Sequence, residues 1–280
     1  MSVLILGVRG MLGQALAQEF SGAGYEMTSC DRAELDITDR VLVLEKIGAL
    51  KPQIVINAAA YNSIDKAETE DRDLAFKING EAVGYLVEAA ARVGAFFVHY
   101  STDYVFRGDR KDGYTEDDAP DPQSVYAKSK FEGEKKVIGQ YLIRTSRLFG
   151  PAGIGDSVKK SFVDVMLKLG GEKKELDLVD EEVSSPTYVV DLARATRELI
   201  ESSAPAGIYH CTNFGACTWY EWAKKIFELT KLNVKLNPVP ANKFPRPAKR
   251  PKFSKLLNTK SPPLRKWEDA LAEYLAPEKK

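Results

Sequence analysis

Histidine and cysteine are scarce in this chain: His99 and His210, with Cys30, Cys211 and Cys217, are all that 280 residues contain. Three widely spaced cysteines make no disulfide framework, and two histidines leave a zinc site few candidate ligands. Net charge is missing as well. Forty basic residues offset forty acidic ones, which removes any global electrostatic case for a nucleic-acid or membrane-surface partner. No apolar run approaches the roughly 18 residues that cross a bilayer. The chain enters a strand pattern at Val3, without a charged leader and cleavage site, and a cytoplasmic protein is the expectation. With 44% hydrophobic and 29% charged residues the composition is that of an ordinary globular protein. The length suits one large domain, or a main domain with a smaller lobe.

What is present is a rhythm. Short apolar runs at 3–6, 26–30, 54–58, 96–101 and 141–145 alternate with helix-like stretches at 11–21, 40–50, 74–93 and 125–139. Continuous apolar strands separated by helical crossovers predict an α/β fold, a Rossmann-type doubly wound parallel sheet covered on both faces. After Gly150 the rhythm loosens. Residues 162–169, 188–202, 219–230 and 265–275 read as helices, and 207–211 as a strand. The proline-rich stretch 237–251 reads as an extended loop. The expected layout is a dinucleotide-binding domain over 1–150 and a smaller C-terminal substrate lobe over 151–280. The two are interleaved, with parts near 184–213 returning to the main sheet.

Gly7-Val8-Arg9-Gly10-Met11-Leu12-Gly13 follows the first strand and opens the first helix, as a dinucleotide fingerprint must. Its spacing is G-x-x-G-x-x-G. Small residues let the backbone approach a diphosphate, and the helix N-terminus supplies free N–H groups and positive potential. Asp31 after the second strand can accept hydrogen bonds from an adenosine ribose, favouring NADH; the adjacent Arg32 can receive a 2′-phosphate, favouring NADPH. Asp36 and Ile37 form a second position near the adenine, unless Asp36 serves as a helix N-terminal carboxylate. Ala58, Ala59 and Ala60 leave room for a ligand at the end of the third strand. Asn79 either touches that ligand or stitches the neighbouring loop.

The chemistry centres on Tyr126-x-x-x-Lys130, two side chains on one helix face. A nearby ammonium favours a phenolate, so Lys130 is expected to lower the tyrosine's pKa and to reach a nicotinamide ribose. Thr102, just past a central strand, can donate a hydrogen bond to a carbonyl oxygen. Tyr126 can then protonate that oxygen as hydride reaches the carbon. His99 and His210 lie in apolar strands and read as core histidines, and Trp219, Tyr220 and Trp222 as packing residues.

With these motifs the chain resembles an extended short-chain dehydrogenase/reductase, most closely the dTDP-4-dehydrorhamnose reductases. The carriers are Gly7–Gly13, Leu35-Asp36-Ile37-Thr38-Asp39, Asp65-Lys66-Ala67-Glu68, the Ser101-Thr102-Asp103-Tyr104 run and Tyr126-x-x-x-Lys130. Further on come Arg144-Thr145-Ser146, Ser185-Pro186-Thr187-Tyr188, Gly207-Ile208-Tyr209-His210 and Arg250-Pro251. The resemblance implies NADPH- or NADH-dependent reduction of the C4 ketone of a nucleotide-linked 6-deoxyhexose. It also implies a substrate pocket around Asn62, Ile64, Thr102, Asp103, Tyr104, Arg147 and Arg250, the last expected on the diphosphate. Asn62 stands where the family usually has Thr, and Arg147 where it has Trp, so another deoxysugar is open. The glutamate that some members use in a metal-linked dimer is absent; the chain reads Gly13-Gln14-Ala15. No metal is expected, and a homodimer is left open. Dehydratases carry Asp-Glu after the threonine, whereas here it is Asp103-Tyr104. A non-catalytic relative, the regulatory subunit of methionine adenosyltransferase, is the alternative of another class.

Overall fold

Leu4 and Leu6 of the first strand face one helical layer while Val3 and Ile5 face the other, and all four are buried. That two-sided burial is why the strands read as unbroken apolar runs. In the computed structural model, which describes residues 1–155 and 160–276, the elements run β1 (Ser2–Leu6), α1 (Met11–Gly22), β2 (Glu26–Cys30), α2 (Arg40–Leu50), β3 (Ile54–Asn57), α3 (Ile64–Thr69), α4 (Arg72–Phe76), a π-turn (Lys77–Glu81), α5 (Ala82–Val93) and β4 (Phe96–Thr102). After these come α6 (Val125–Glu134), β5 (Tyr141–Thr145), β6 (Leu148–Phe149), α7 (Phe162–Glu172), β7 (Glu175–Val179), β8 (Thr187–Tyr188), α8 (Val189–Glu201), β9 (Gly207–His210), α9 (Trp219–Thr230), β10 (Lys235–Val239) and α10 (Trp267–Leu275).

Six strands form one parallel sheet in the order β2-β1-β3-β4-β5-β9. Helices α1 and α8 cover one face through Leu12, Leu16, Phe20, Val189 and Leu192. On the other, α2 and α5 pack Val43, Ile47, Val83 and Leu86 beneath Leu4, Val55 and Phe97. The fold is therefore a doubly wound α/β sheet of Rossmann type. A separate apolar cluster gathers α7, α9, α10 and the two-stranded β7–β10 sheet around Phe149, Met166, Trp222 and Trp267. The segment after Ala248 runs back across both parts, with β-bridges from Phe253 to Asp109 and Val183 and from Leu256 to Tyr114.

Several boundaries differ from the sequence reading. The helix expected over 74–93 is broken by the π-turn, which buries Asn79 and Gly80; one extra residue in that turn rotates the face that α5 presents. The helix expected over 125–139 stops at Glu134. The expected loop 237–251 begins inside β10, where Pro238 sits opposite Leu178 on an edge strand, a place that tolerates a missing N–H. All three cysteines are free and buried. Burial pushes the thiols of Cys211 and Cys217 up to about 12 and raises that of Cys30. Among the described residues no helix is long and apolar enough to cross a membrane.

Candidate active site

The turn after β1 is shaped by backbone crowding. Gly7 has φ +79°, and a Cβ there would lie 2.6 Å from the Ala59 nitrogen. One on Gly13 would lie 2.2 Å from the Gly7 carbonyl oxygen. Only glycine permits both approaches, and they bring the start of α1 against the ends of β1 and β3. Gly10 is the N-cap of α1 and gives no side-chain cap, and the first turn holds no acidic residue. The helix thus opens with unspent N–H groups and its positive end toward the sheet edge, the donor set a diphosphate requires. Ala58, Ala59 and Ala60, half-buried beside the turn, keep that approach free of bulk.

At the end of β2, Asp31 Oδ2 is 2.8 Å from Arg9 Nε, and Asp31 Oδ1 accepts from the Ala33 N–H at 2.8 Å. Arg32 reaches the Asp36 carboxylate at 3.6 Å. Arg9 therefore holds the Asp31 carboxylate, while the Arg32 guanidinium pairs with Asp36. Asp36 accepts from the N–H and hydroxyl of Thr38 at 2.9 and 2.8 Å, and those bonds hold its pKa below the ordinary value. Asp36 thus sits in the turn ahead of α2, whose N-cap is Asp39 rather than Asp36, and the Ile37 side chain belongs to the core under the sheet.

β4 delivers Thr102, whose hydroxyl accepts from the Tyr104 N–H at 3.2 Å and donates to Asp103 Oδ1 at 3.1 Å. Beside it α6 begins at the N-cap Ser124, which accepts from the Ala127 N–H at 3.3 Å. Tyr126 lies in its first turn and Lys130 one turn on, both buried. Lys130 Nζ donates to the Tyr100 carbonyl at 2.6 Å, and burial pushes its pKa down to about 8 against the opposing pull of Glu134. Burial drives the Tyr126 phenol well above its ordinary value, with Asp103 and Tyr104 adding to the rise and the neighbouring Thr102 hydroxyl working against it. The expected lowering by Lys130 is corrected accordingly. The ammonium is spent on a strand carbonyl, and desolvation of the phenolate dominates.

Around this pair stand the residues expected on the sugar side. The Tyr104 ring meets that of Tyr126 edge-on at 6.0 Å, and Ile64 packs into the same cluster. The Asp103 carboxylate turns inward and accepts from Ser184 Oγ at 2.8 Å and Ser254 Oγ at 2.5 Å. Its place is a buried serine cage rather than an open pocket wall. Arg147 occupies left-handed backbone space at φ +41°. It donates to the carbonyls of Cys217 and Glu182 at 2.8 and 2.6 Å and lies 3.9 Å over the Trp219 ring.

A family model described as the RmlD substrate binding domain matches residues 1–279. The chain belongs to the RmlD substrate binding domain family. It is 39% identical to the spore coat polysaccharide biosynthesis protein SpsK of Bacillus subtilis (strain 168), over 98% of this chain and 96% of that one. Among solved structures it is similar to a dTDP-4-dehydrorhamnose reductase from Clostridium acetobutylicum ATCC 824, at 41% identity and a TM-score of 0.92, covering 98% of each chain. It is also similar to a dTDP-4-dehydrorhamnose reductase from Bacillus anthracis str. Ames in complex with NADP, at 37% identity and a TM-score of 0.92, again covering 98% of each chain.

Within this RmlD-family chain two expected ligand residues are occupied internally. Arg250 donates to Asp65 Oδ2 at 2.6 Å and to the Ala248 carbonyl at 3.0 Å, so a diphosphate would share it with a carboxylate. Asn79 accepts from the Tyr61 N–H at 2.9 Å and donates to the Tyr61 carbonyl and Ser129 Oγ, each at 3.0 Å; it stitches a loop. Asn62 is exposed. The reading from sequence passed over Arg9, Asp65, Glu182 and the stacking of Trp219. Arg9 carried a local signal, standing inside the glycine turn, and Asp65 stood in the Asp65-Lys66-Ala67-Glu68 run without a role assigned to it.

Proposed function

We propose that this chain is an NAD(P)H-dependent oxidoreductase that reduces the C4 ketone of a nucleotide-linked 6-deoxyhexose, dTDP-4-dehydrorhamnose to dTDP-rhamnose, in the cytoplasm. One juxtaposition carries the reading: the Thr102 hydroxyl and the Tyr126 phenol meet at the ends of β4 and α6, on the sheet that also presents the uncapped start of α1. Residues 1–150 hold the cofactor, and the sugar nucleotide lies between them and the 151–280 lobe, with which they interleave. Bound NAD(P)H supplies the hydride for the carbonyl carbon. The Gly10–Gly13 amides receive the cofactor diphosphate, and Asp31 with Arg9 and Arg32 meets its adenosine ribose. Thr102 holds the ketone oxygen and Tyr126, protonated at neutral pH, gives that oxygen its proton. Lys130, anchored on the Tyr100 carbonyl, reaches the nicotinamide ribose. Thr102, Tyr126 and Lys130, with the hydride of the bound cofactor, would make up the set that carbonyl reduction needs.

Arg147 stacked on Trp219 favours a second reading within the same chemistry, a related 6-deoxyhexose, because this wall differs from the tryptophan usual in the family. The test is cofactor oxidation by the purified chain with dTDP-4-dehydro-6-deoxyglucose and its epimerase. Substrate-dependent loss of NADPH or NADH absorbance is the expected result. Cofactor binding without turnover on this substrate, but with turnover on another 4-keto-6-deoxyhexose nucleotide, would move the assignment to the second reading. Binding with no turnover on any such substrate would overturn the reductase.

A further inference from the structure

The first turn of α6 carries the proposed proton donor yet contains no acidic residue of its own. The missing charge comes from elsewhere. Glu68, in α3 and 57 positions earlier, accepts from the Val125 N–H at 2.8 Å. Val125 is the first residue of α6 and directly precedes Tyr126. A carboxylate at that point satisfies an amide that the helix cannot pair and complements its positive end. Helix α3 is itself firmly seated. Ala67, next to Glu68, is fully buried against Val125 and Tyr126. On its other side Asp65 takes the Arg250 guanidinium at 2.6 Å and the Ala248 N–H at 3.2 Å. One short helix therefore grips the catalytic helix through Glu68 and the C-terminal arginine loop through Asp65.

We propose that Glu68 is a positioning residue for the reduction: it fixes the first turn of α6 and thereby the distance of the Tyr126 hydroxyl from the ketone oxygen. The inference rests on Tyr126 being the proton donor. Small displacements of a proton donor are costly to rate, with about 10²-fold lost for a 1 Å misplacement. A backbone amide held by a charged partner from another element is a direct way to prevent them.

The experiment compares Glu68→Ala, Glu68→Gln and Glu68→Asp in the full chain, each alone and together with Tyr126→Phe. Glu68→Ala is expected to lower kcat by roughly tenfold to a hundredfold, with NADPH affinity unchanged within about twofold because α1 and the glycine turn are untouched. Glu68→Gln retains an oxygen for the Val125 N–H and should recover most of the rate. Glu68→Asp falls one methylene short and should behave as the alanine variant does; it also serves if Glu68→Ala does not fold. In the Tyr126→Phe background the same changes should add little, since a residue acting through Tyr126 has nothing left to position. Equal losses in both backgrounds, or an undiminished kcat in Glu68→Ala, would overturn the proposal. Hydrogen exchange over 124–130 separates its failure from that of the reductase reading. Faster exchange in Glu68→Ala is expected whatever the substrate, and unchanged exchange overturns the hold on α6 even in a chain that never turns over.

Discussion

Tyr126 is protonated and nearly dry, which suits an acid that must act once per turnover and not leak its proton. Replacing it by phenylalanine removes the proton and little volume. Tyr126→Phe should cut kcat by roughly 10²–10⁴ while NADPH binding, measured by fluorescence titration, stays close to that of the parent; an undiminished kcat would sink the assignment. Lys130 offers a prediction of a different kind. Its folded pKa of about 8 lies below the ordinary 10.5, so between those values the unfolded chain binds a proton that the folded chain has released. Stability then rises with pH through this window and is lost again as pH falls toward 8. The shift corresponds to about 3 kcal/mol from this residue. Urea unfolding at neutral and alkaline pH should show Lys130→Met lacking that rise, and parallel pH dependences in the two proteins would contradict it. Thr102, Tyr126 and Lys130 were legible because each follows a recognisable element and they occur in order behind a glycine turn. The destination of the lysine was not. Its partner is the Tyr100 carbonyl, thirty residues away, and the i,i+4 pattern says only that two side chains share a face. Asp65, Glu68 and Glu182 act through partners 35 to 185 positions distant; the Asp65-Lys66-Ala67-Glu68 run stood out by resemblance alone, and nothing local showed what its carboxylates would hold.

Helix α6 is tied to the sheet by a charge pair as well as by packing. Arg144 of β5 holds Glu134, the last residue of α6, through Nε at 3.0 Å and Nη2 at 2.7 Å, and both side chains are almost fully buried. The guanidinium also lies 5.1 Å from the Phe106 ring centre. Removing one partner strands a buried charge, so Arg144→Met should destabilise by about 3–5 kcal/mol, whereas Arg144→Met with Glu134→Leu should recover most of that loss. Chemical denaturation of the three proteins measures the difference, and equal stabilities for the single and double variants would refute the argument. The same elements show where a sequence pattern serves and where it does not. β2 and β9 are the part-exposed edges of the main sheet. Its inner strands β1, β3, β4 and β5 were legible because burial on both faces leaves a largely apolar run. β7 and β10 were not, since Glu175, Asp177, Lys235 and Asn237 interleave polar residues on a sheet of two strands, and Pro238 reads as a breaker. The π-turn left no trace in the pattern because its inserted residue keeps the 74–93 stretch helical in composition.

Across the whole molecule, the chain order and the layers do not coincide. β9 completes the main sheet beside β5, and α8 covers α1 through Val189 and Leu192, although both come after residue 150. A fragment ending there would expose Leu16 and Phe20 on one face and leave Tyr141 and Ile143 at an unpaired edge. Fragment 1–150 should therefore give no cooperative melt, while the full chain gives one; a cooperative calorimetric transition from the fragment would show that the first 150 residues fold alone.

The three buried thiols have a practical reach of their own. A thiolate is what alkylating agents and peroxides attack, and here its formation is opposed by burial at Cys30, Cys211 and Cys217. The native protein offers such reagents no accessible target among these residues. A cysteine introduced at an exposed position such as Ile138, which is 82% accessible, would be the single reactive handle on the molecule. A dye or a surface attached there could report on the enzyme at work, with the native background silent.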